Sequence, residues 1–277
     1  MNLFTTTLPA LAAVAALVFT WISVVQVSDE LTISEQGQIA DRYDTAVEKL
    51  VDDSTDVRRG AIYSMQSIMT DSPRMQPAVI DMLSKYIRDR ATKNLKTTEK
   101  SPDIQAALYA LGNRNPSHDA NAVIDLRGAH LVEAKLEGMN LSNADLRGTV
   151  VSGANAEKAV LSGARLEQAV VKGTNLTGAD LSDAKASEAD LKKAVMAGAD
   201  LAHADVEQAD LRDADLTGAD LSGVDMAGAN LEGAYLAEVR WNDTNLAGVR
   251  RPEGDLPDDM SSRTAQPPRS QATNASQ

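Results

Sequence analysis

Cysteine is absent from this 277-residue chain, which excludes a disulfide framework, a thiol nucleophile and a zinc-ribbon site. Aromatic residues make up only 3%, few for a conventional globular core but natural for one built of Leu and Ala. Proline is missing from Ser117 to Arg251, as expected where backbone donors must feed a hydrogen-bond ladder. Histidine is scarce: His118, His130 and His203 lie too far apart in the chain for a metal triad or a Ser-His-Asp relay. No Gly-rich phosphate loop occurs, nor the nine-residue glycine-aspartate pattern of calcium-binding β-rolls. The chain therefore reads as a non-enzyme with no cofactor and no metal. Its formal charge of −13 weighs against direct binding to nucleic-acid phosphates.

What is present is order. From Leu126 to Leu246 every fifth residue is apolar, in one register of twenty-five pentads, and seventeen of the centres are Leu. Two residues before each centre sits a small side chain, Ala in eighteen cases; the residue just before it is Asp or Asn in fifteen; the residue two after it is Gly in thirteen. A period of five fits neither the helical 3.6 nor the strand's 2.0. A short internal repeat of this kind marks a stacked solenoid, whose units bury their apolar face only against neighbours. Four such sides make a square coil of twenty residues. Leu141, Leu161, Leu181, Leu201, Leu221 and Trp241 then form one inward column, and Leu126, Leu146, Leu166, Ala186, Val206, Met226 and Leu246 another. Asp and Asn are expected at the corners, where their side chains bond nearby backbone, beside Gly, which tolerates positive φ.

The segments Ala179–Leu181, Ala219–Leu221 and Ala229–Leu231, read as A-D/N-L, resemble the pentapeptide-repeat family. The resemblance covers slightly under half the chain and implies a right-handed quadrilateral β-helix over 124–250. Ala156 and Ala186 underfill the centre position, and Val224 and Val239 overfill the small one. No centre is Phe, so a thin, Leu-filled core is expected.

The fold class that follows is a mainly β solenoid, preceded by a small α-helical domain and a single transmembrane helix. Leu8 to Val27 carries no charge; twenty residues of helix reach about 30 Å, enough to cross a bilayer. This assigns residues 1–28 to an uncleaved membrane helix rather than a cleaved signal peptide, since no Lys or Arg precedes the run. With Arg42, Lys49, Arg58 and Arg59 all following it, the expected placement is the cell membrane, single-pass, with the bulk cytoplasmic. Residues 29–112 read as short amphipathic helices with faces Ile39/Tyr43/Val47/Leu50, Val57/Ala61/Met65/Met69, Val79/Leu83/Ile87 and Ile104/Ala107/Leu108/Leu111. The run Val57 to Ile62 resembles half of a HEAT-type hairpin. Ala91 to Ser101 reads as a flexible connector and 113–123 as the loop into the β-helix. The helix around Ile104–Leu111 is expected to cap the first coil over Leu126 and Leu131, and Trp241 with Leu246 to close the last. Residues 251–277 lack any apolar period and read as a disordered tail.

The rod's surface is polarised. Six acids and six bases lie between Ile124 and Gly178, but fifteen acids and six bases between Ala179 and Arg250. The candidate interaction surface is Asp180, Asp190, Asp200, Asp205, Asp210, Asp215, Asp220 and Asp225, with Val132, Val150 and Val170 as a small apolar patch. The expected function is a membrane-anchored, non-enzymatic interaction scaffold for an unknown protein partner. The alternative comes from the resemblance: some pentapeptide-repeat proteins mimic B-form DNA and bind DNA gyrase, protecting or inhibiting it.

Overall fold

A computed structural model describes residues 35–92, 97–98 and 101–250, together with Trp21. Four α-helices come first: α1 over 35–49, α2 (Thr55–Asp71), α3 (Gln76–Arg90) and α4 (Pro102–Gly112). Each has a local cause. The Ser54 side chain accepts from Val57 N at the start of α2, and Pro77 and Pro102 occupy first-turn positions of α3 and α4, where a missing N–H costs nothing. The buried face of α2 is Ala61, Ile62, Met65, Ile68 and Met69, while Val57, expected on that face, is exposed.

Residues 125–250 wind into a β-helix. Twenty-two parallel bridges, from Asp125↔Asp145 to Asn230↔Arg250, each join residues twenty apart, so four pentads make one coil. Each side contributes one bridging residue, and no longer strand forms. Three ladder bonds per pentad hold neighbouring coils together: Asp180 N donates to Ala159 O at 3.0 Å, Leu181 N to Asp200 O at 2.6 Å and Asp183 N to Ala202 O at 2.9 Å. The corner is a turn closed by bonds such as Ala129 N to Leu126 O, 3.0 Å. Its third residue has positive φ in every pentad from Gly128 to Gly248, the type II pattern. Thirteen of these are Gly; the others, Lys158, Gln168 and His203 among them, hold the left-handed conformation without being Gly. The Asp and Asn residues just before the centres therefore occupy the flat sides, at the bridges, and not the corners expected for them, where Asn143, Asp183, Asp213 and Asp243 stand.

The Leu and Ala columns are buried throughout, from Leu126 to Ala234. The lumen retains an apolar void of about 30 Å³ spread along residues from Leu126 to Val206, roughly the volume of one water. Ala186 thus leaves no room for a leucine. Ala186→Leu is expected to lose about 1–3 kcal/mol through overpacking, read as a lower urea midpoint. A gain in stability would show the lumen to be wider than it is here.

The first coil has no coil below it, and the helical segment supplies what is missing on all four sides. Arg88 Nη1 donates to Asp125 O. His130 N donates to Ala91 O and Thr98 N to Val132 O, both at 2.8 Å. Gln105 clamps both backbone groups of Lys135, at 2.7 and 3.0 Å. Asn140 N donates to Gly112 O and Arg114 Nη1 to Asn140 O, both at 2.8 Å. A Cβ on Gly112 would meet Met139 at 2.6 Å, so the missing side chain lets the end of α4 lie against the coil. The cap expected from α4 alone is shared: α4 and Arg114 take the Lys135 and Asn140 sides, and Arg88, Ala91 and Thr98 take the other two. At the far end Leu246 is buried and Trp241 half-buried.

The expected single-pass membrane placement is corrected. Among the described residues no helix is long and apolar enough to cross a membrane. The longest of α2–α4 has 17 residues, about 26 Å at 1.5 Å each. The run Leu8–Val27 that carried the expectation lies outside the described residues, Trp21 apart, and the cytoplasmic assignment loses its basis with it. Most of the expected connector, at 93–96 and 99–100, and the tail 251–277 also lie outside them.

Candidate functional site

All eight candidate aspartates hold the same local role. Each uses Oδ1 to accept the backbone N–H two residues on, at 2.9–3.2 Å, from Ser182 N to Asp180 through Ala227 N to Asp225. The bond satisfies a turn donor and fixes each carboxylate's direction. It explains why Asp recurs at this position whatever its outward role.

The winding distributes them around the rod. Asp180, Asp200 and Asp220 stack on one side, Asp190 and Asp210 on a second, Asp205 and Asp225 on a third, and Asp215 stands on the fourth. Val150 and Val170 stack below Asp190 and Asp210, after His130, and Val132 is half-buried at the neighbouring turn. The acids form a belt, not one face. Arg240 pairs with Asp220 at 2.7 Å and Arg212 with Asp210 at 2.5 Å. Arg240, with Ser222, holds the Asp220 carboxyl down to about 2, and Arg212 holds Asp210 below the usual carboxylate range. Among the described residues Asp180, Asp190, Asp200, Asp205 and Asp215 make no ion pair. Their carboxylates are oriented by the turn bond alone.

With every bridge at twenty residues, a five-residue motif model can be tested on the sequence itself. Eight copies of the pentapeptide-repeat model match, over residues 124–163, 159–196 and 194–233. The chain belongs to the pentapeptide-repeat family. Solved pentapeptide-repeat structures similar to it include HetL, involved in heterocyst differentiation regulation, from the cyanobacterium Nostoc sp. strain PCC 7120. It is 34% identical, over 49% of this chain and 67% of that one, with a TM-score of 0.20. A pentapeptide repeat protein of the Arabidopsis thaliana thylakoid lumen is 29% identical, over 46% and 74%, with a TM-score of 0.26. QnrB1, a plasmid-mediated fluoroquinolone resistance protein, is 19% identical over 50% and 87%, with a TM-score of 0.25. A comparison with curated proteins finds no match. Nothing in these comparisons supports a HEAT-type reading of Val57–Ile62. In the structure Arg58 of that run turns inward to an ion pair, and the four helices share one continuous core with the β-helix.

The sequence reading missed that ion pair. Arg58 Nε donates to Asp103 Oδ2 at 2.8 Å, Tyr86 Oη donates to the same oxygen at 2.6 Å, and the two charged side chains are 6% and 3% exposed. Arg58 Nη1 reaches the carbonyls of Asp52 and Asp53, and Nη2 reaches Thr55 Oγ1. Burial alone would raise the Asp103 carboxyl, but the bonds from Tyr86 and Arg58 and the Arg58 charge outweigh it and hold it below the usual range. Burial, then the bond to Asp103, pushes the Tyr86 phenol up. Arg58, Tyr86 and Asp103 stand on α2, α3 and α4, so these bonds tie the three helices to one another. Among the described residues no group of three or more His, Cys, Asp or Glu is placed to hold a metal.

Proposed function

We propose that the protein is a non-enzymatic interaction module whose rod presents the carboxylates of Asp180 to Asp225 to a protein partner bearing cationic groups. The observation that carries this reading is the shared N–H···Oδ1 bond, which fixes the direction of five carboxylates that make no ion pair, Asp180 and Asp200 of them stacked at coil spacing, about 4.8 Å. Like charges so close are destabilising, and a cationic partner relieves them. Val132, Val150 and Val170, beside the neutral half, supply apolar contact area.

Asp→Asn separates the charge from the turn, because an Asn side-chain carbonyl still accepts the same N–H. Asp180→Asn/Asp200→Asn/Asp215→Asn is expected to leave the melting curve nearly unchanged. It should weaken the crosslinked complex recovered from native extract by at least about tenfold, with a steeper salt dependence in the wild type. Equal recovery of the same partner by both proteins would sink the reading.

A second reading, in which the rod stands in for duplex DNA toward a topoisomerase, rests on the same carboxylates. The six coils span roughly 30 Å at ~4.8 Å each, about one duplex turn, which is little surface for such a role. Inhibition or protection of gyrase by micromolar protein in a supercoiling assay would favour it, and no effect would remove it.

A further inference from the structure

The flat side that carries Asp205 and Asp225 has a charge order found on no other side. From the helical segment upward, its bridging residues are Asp125, Asp145, Arg165, Lys185, Asp205, Asp225 and Asn245. Asp125 and Asp145 are already held, by Arg127 and Arg147 at 2.8 and 2.6 Å. Above them two cations are followed by two acids, one residue per coil, at a spacing of about 4.8 Å. Among the described residues Lys185, Asp205 and Asp225 make no ion pair, and Arg165 makes only an exposed one, to Glu167 at 3.3 Å. Lys185 and Asp225 are exposed and Asp205 is half-buried. Each of the two aspartates is fixed by its turn bond, accepting from Glu207 N and Ala227 N at 3.0 Å.

A column that runs plus, plus, minus, minus is complementary to itself when turned end for end. We propose that this side joins a second copy of the chain, antiparallel and face to face, with Arg165 opposite the partner's Asp225 and Lys185 opposite the partner's Asp205. The two-fold axis lies in the plane of contact, perpendicular to the rod and level with the gap between Lys185 and Asp205. Each contact is then made twice, and the equal pitch of the two copies keeps them in step. The rest of the side fits the same register. Asp145 falls opposite the partner's Asn245, so no like charges face each other along the column. The second rod ends there, one coil short of the helical segment. On the two corners that flank the side, Asp183 falls opposite the partner's His203 and Glu188 opposite the partner's Gln208, all at outward turn positions. The side of Asp180, Asp200 and Asp220 does not close this way, because the register that brings Arg240 to Asp180 also sets Asp200 against Asp220. At −13 per copy the chains otherwise repel, which leaves the matched side as the one that meets. One side of a rod is a small face, so the dimer is weak and reversible. The proposal names the partner of Asp205 and Asp225 and so rests on reading the belt as contacts for cations; Asp180, Asp200 and Asp215 stand on other sides and take no part.

The test is sedimentation equilibrium of the full chain up to about 1 mM, the weak end of specific association, with melting curves to confirm that each variant is folded. The wild type is expected to dimerise. Lys185→Glu and Asp205→Lys should each weaken the dimer at least about tenfold, because like charges then meet at both symmetric contacts. Asp205→Lys lowers the net negative charge, so general repulsion alone would give the opposite result. An equimolar mixture of the two variants should associate about as tightly as the wild type, since each opposed pair is again one acid and one cation. Asp180→Asn/Asp200→Asn/Asp215→Asn should dimerise at least as well as the wild type, which separates this contact from capture of the partner in extract. A wild type that stays monomeric, a dimer indifferent to either reversal, or folded variants whose mixture does not associate would each overturn the proposal.

Discussion

Asp103→Ala is expected to cost about 3–5 kcal/mol of folding stability, because it leaves the Arg58 charge buried without its counter-ion. Arg58 is 6% exposed, and its Nε loses the 2.8 Å bond to Asp103 while Tyr86 loses its 2.6 Å acceptor. Urea denaturation followed by helical circular dichroism measures the loss; a value below about 1 kcal/mol would mean that water replaces the carboxylate as the partner of Arg58. Arg58→Met/Asp103→Leu should recover most of it, since an apolar pair of similar volume avoids desolvating two charges. The pH dependence follows with its sign. The Asp103 pKa is depressed in the folded state, so its contribution is present above the unfolded value near 3.9 and fades as pH falls through the folded one. The Tyr86 pKa is raised, so its contribution is present below about 10 and fades as pH rises beyond it. Stability of the helical segment should therefore hold from about pH 4 to pH 10 in the wild type, and Asp103→Ala should flatten the acid limb.

Leu201→Ala is expected to destabilise the rod by about 2.7–5 kcal/mol, the range for a buried leucine whose site does not collapse. Leu201 lies in a column between Leu181 and Leu221, all three nearly inaccessible to solvent. The coils above and below are tied to its own by the ladder, which limits relaxation around the void. Trp241 is larger but stands at the end of the same column, half-buried above Leu221. In a solenoid each unit is stabilised by its neighbours, so Trp241→Ala should cost less than Leu201→Ala despite the bigger deletion. Hydrogen exchange gives the local view: Leu201→Ala should speed exchange of amides in coils on both sides, and Trp241→Ala only in the last. The reverse order of urea midpoints would mean that the far end, not the middle, holds the rod together.

Much of the β-helix could be read directly. Residues twenty apart do stack, Leu161, Leu181 and Leu201 are buried, and the glycines take positive φ. The aspartates were only half legible: their bond to nearby backbone was expected, their place on the flat sides was not. Asp180, Asp200 and Asp220 do stack as expected, while the other five stand on the remaining sides, because steps of five move each residue to the next side and only steps of twenty return to the same one. The membrane placement rested on a single apolar run, and length and hydropathy alone do not distinguish a span from other apolar segments. Gln105 and Arg58 carried no warning, since neither their spacing nor their neighbours in sequence differ from those of any amphipathic helix.

By itself the sequence determined the coil. A strict period lets the chain be its own template, so the register of one pentad sets that of all the others, and burial of Leu and Ala follows by counting. Tertiary structure alone decided what meets what across the non-repeating part. It brought Arg58 to Asp103 forty-five residues away and set Gln105 on the open edge of the first coil. Those contacts depend on how helices cross and which rotamers face inward, and no period in the sequence encodes either.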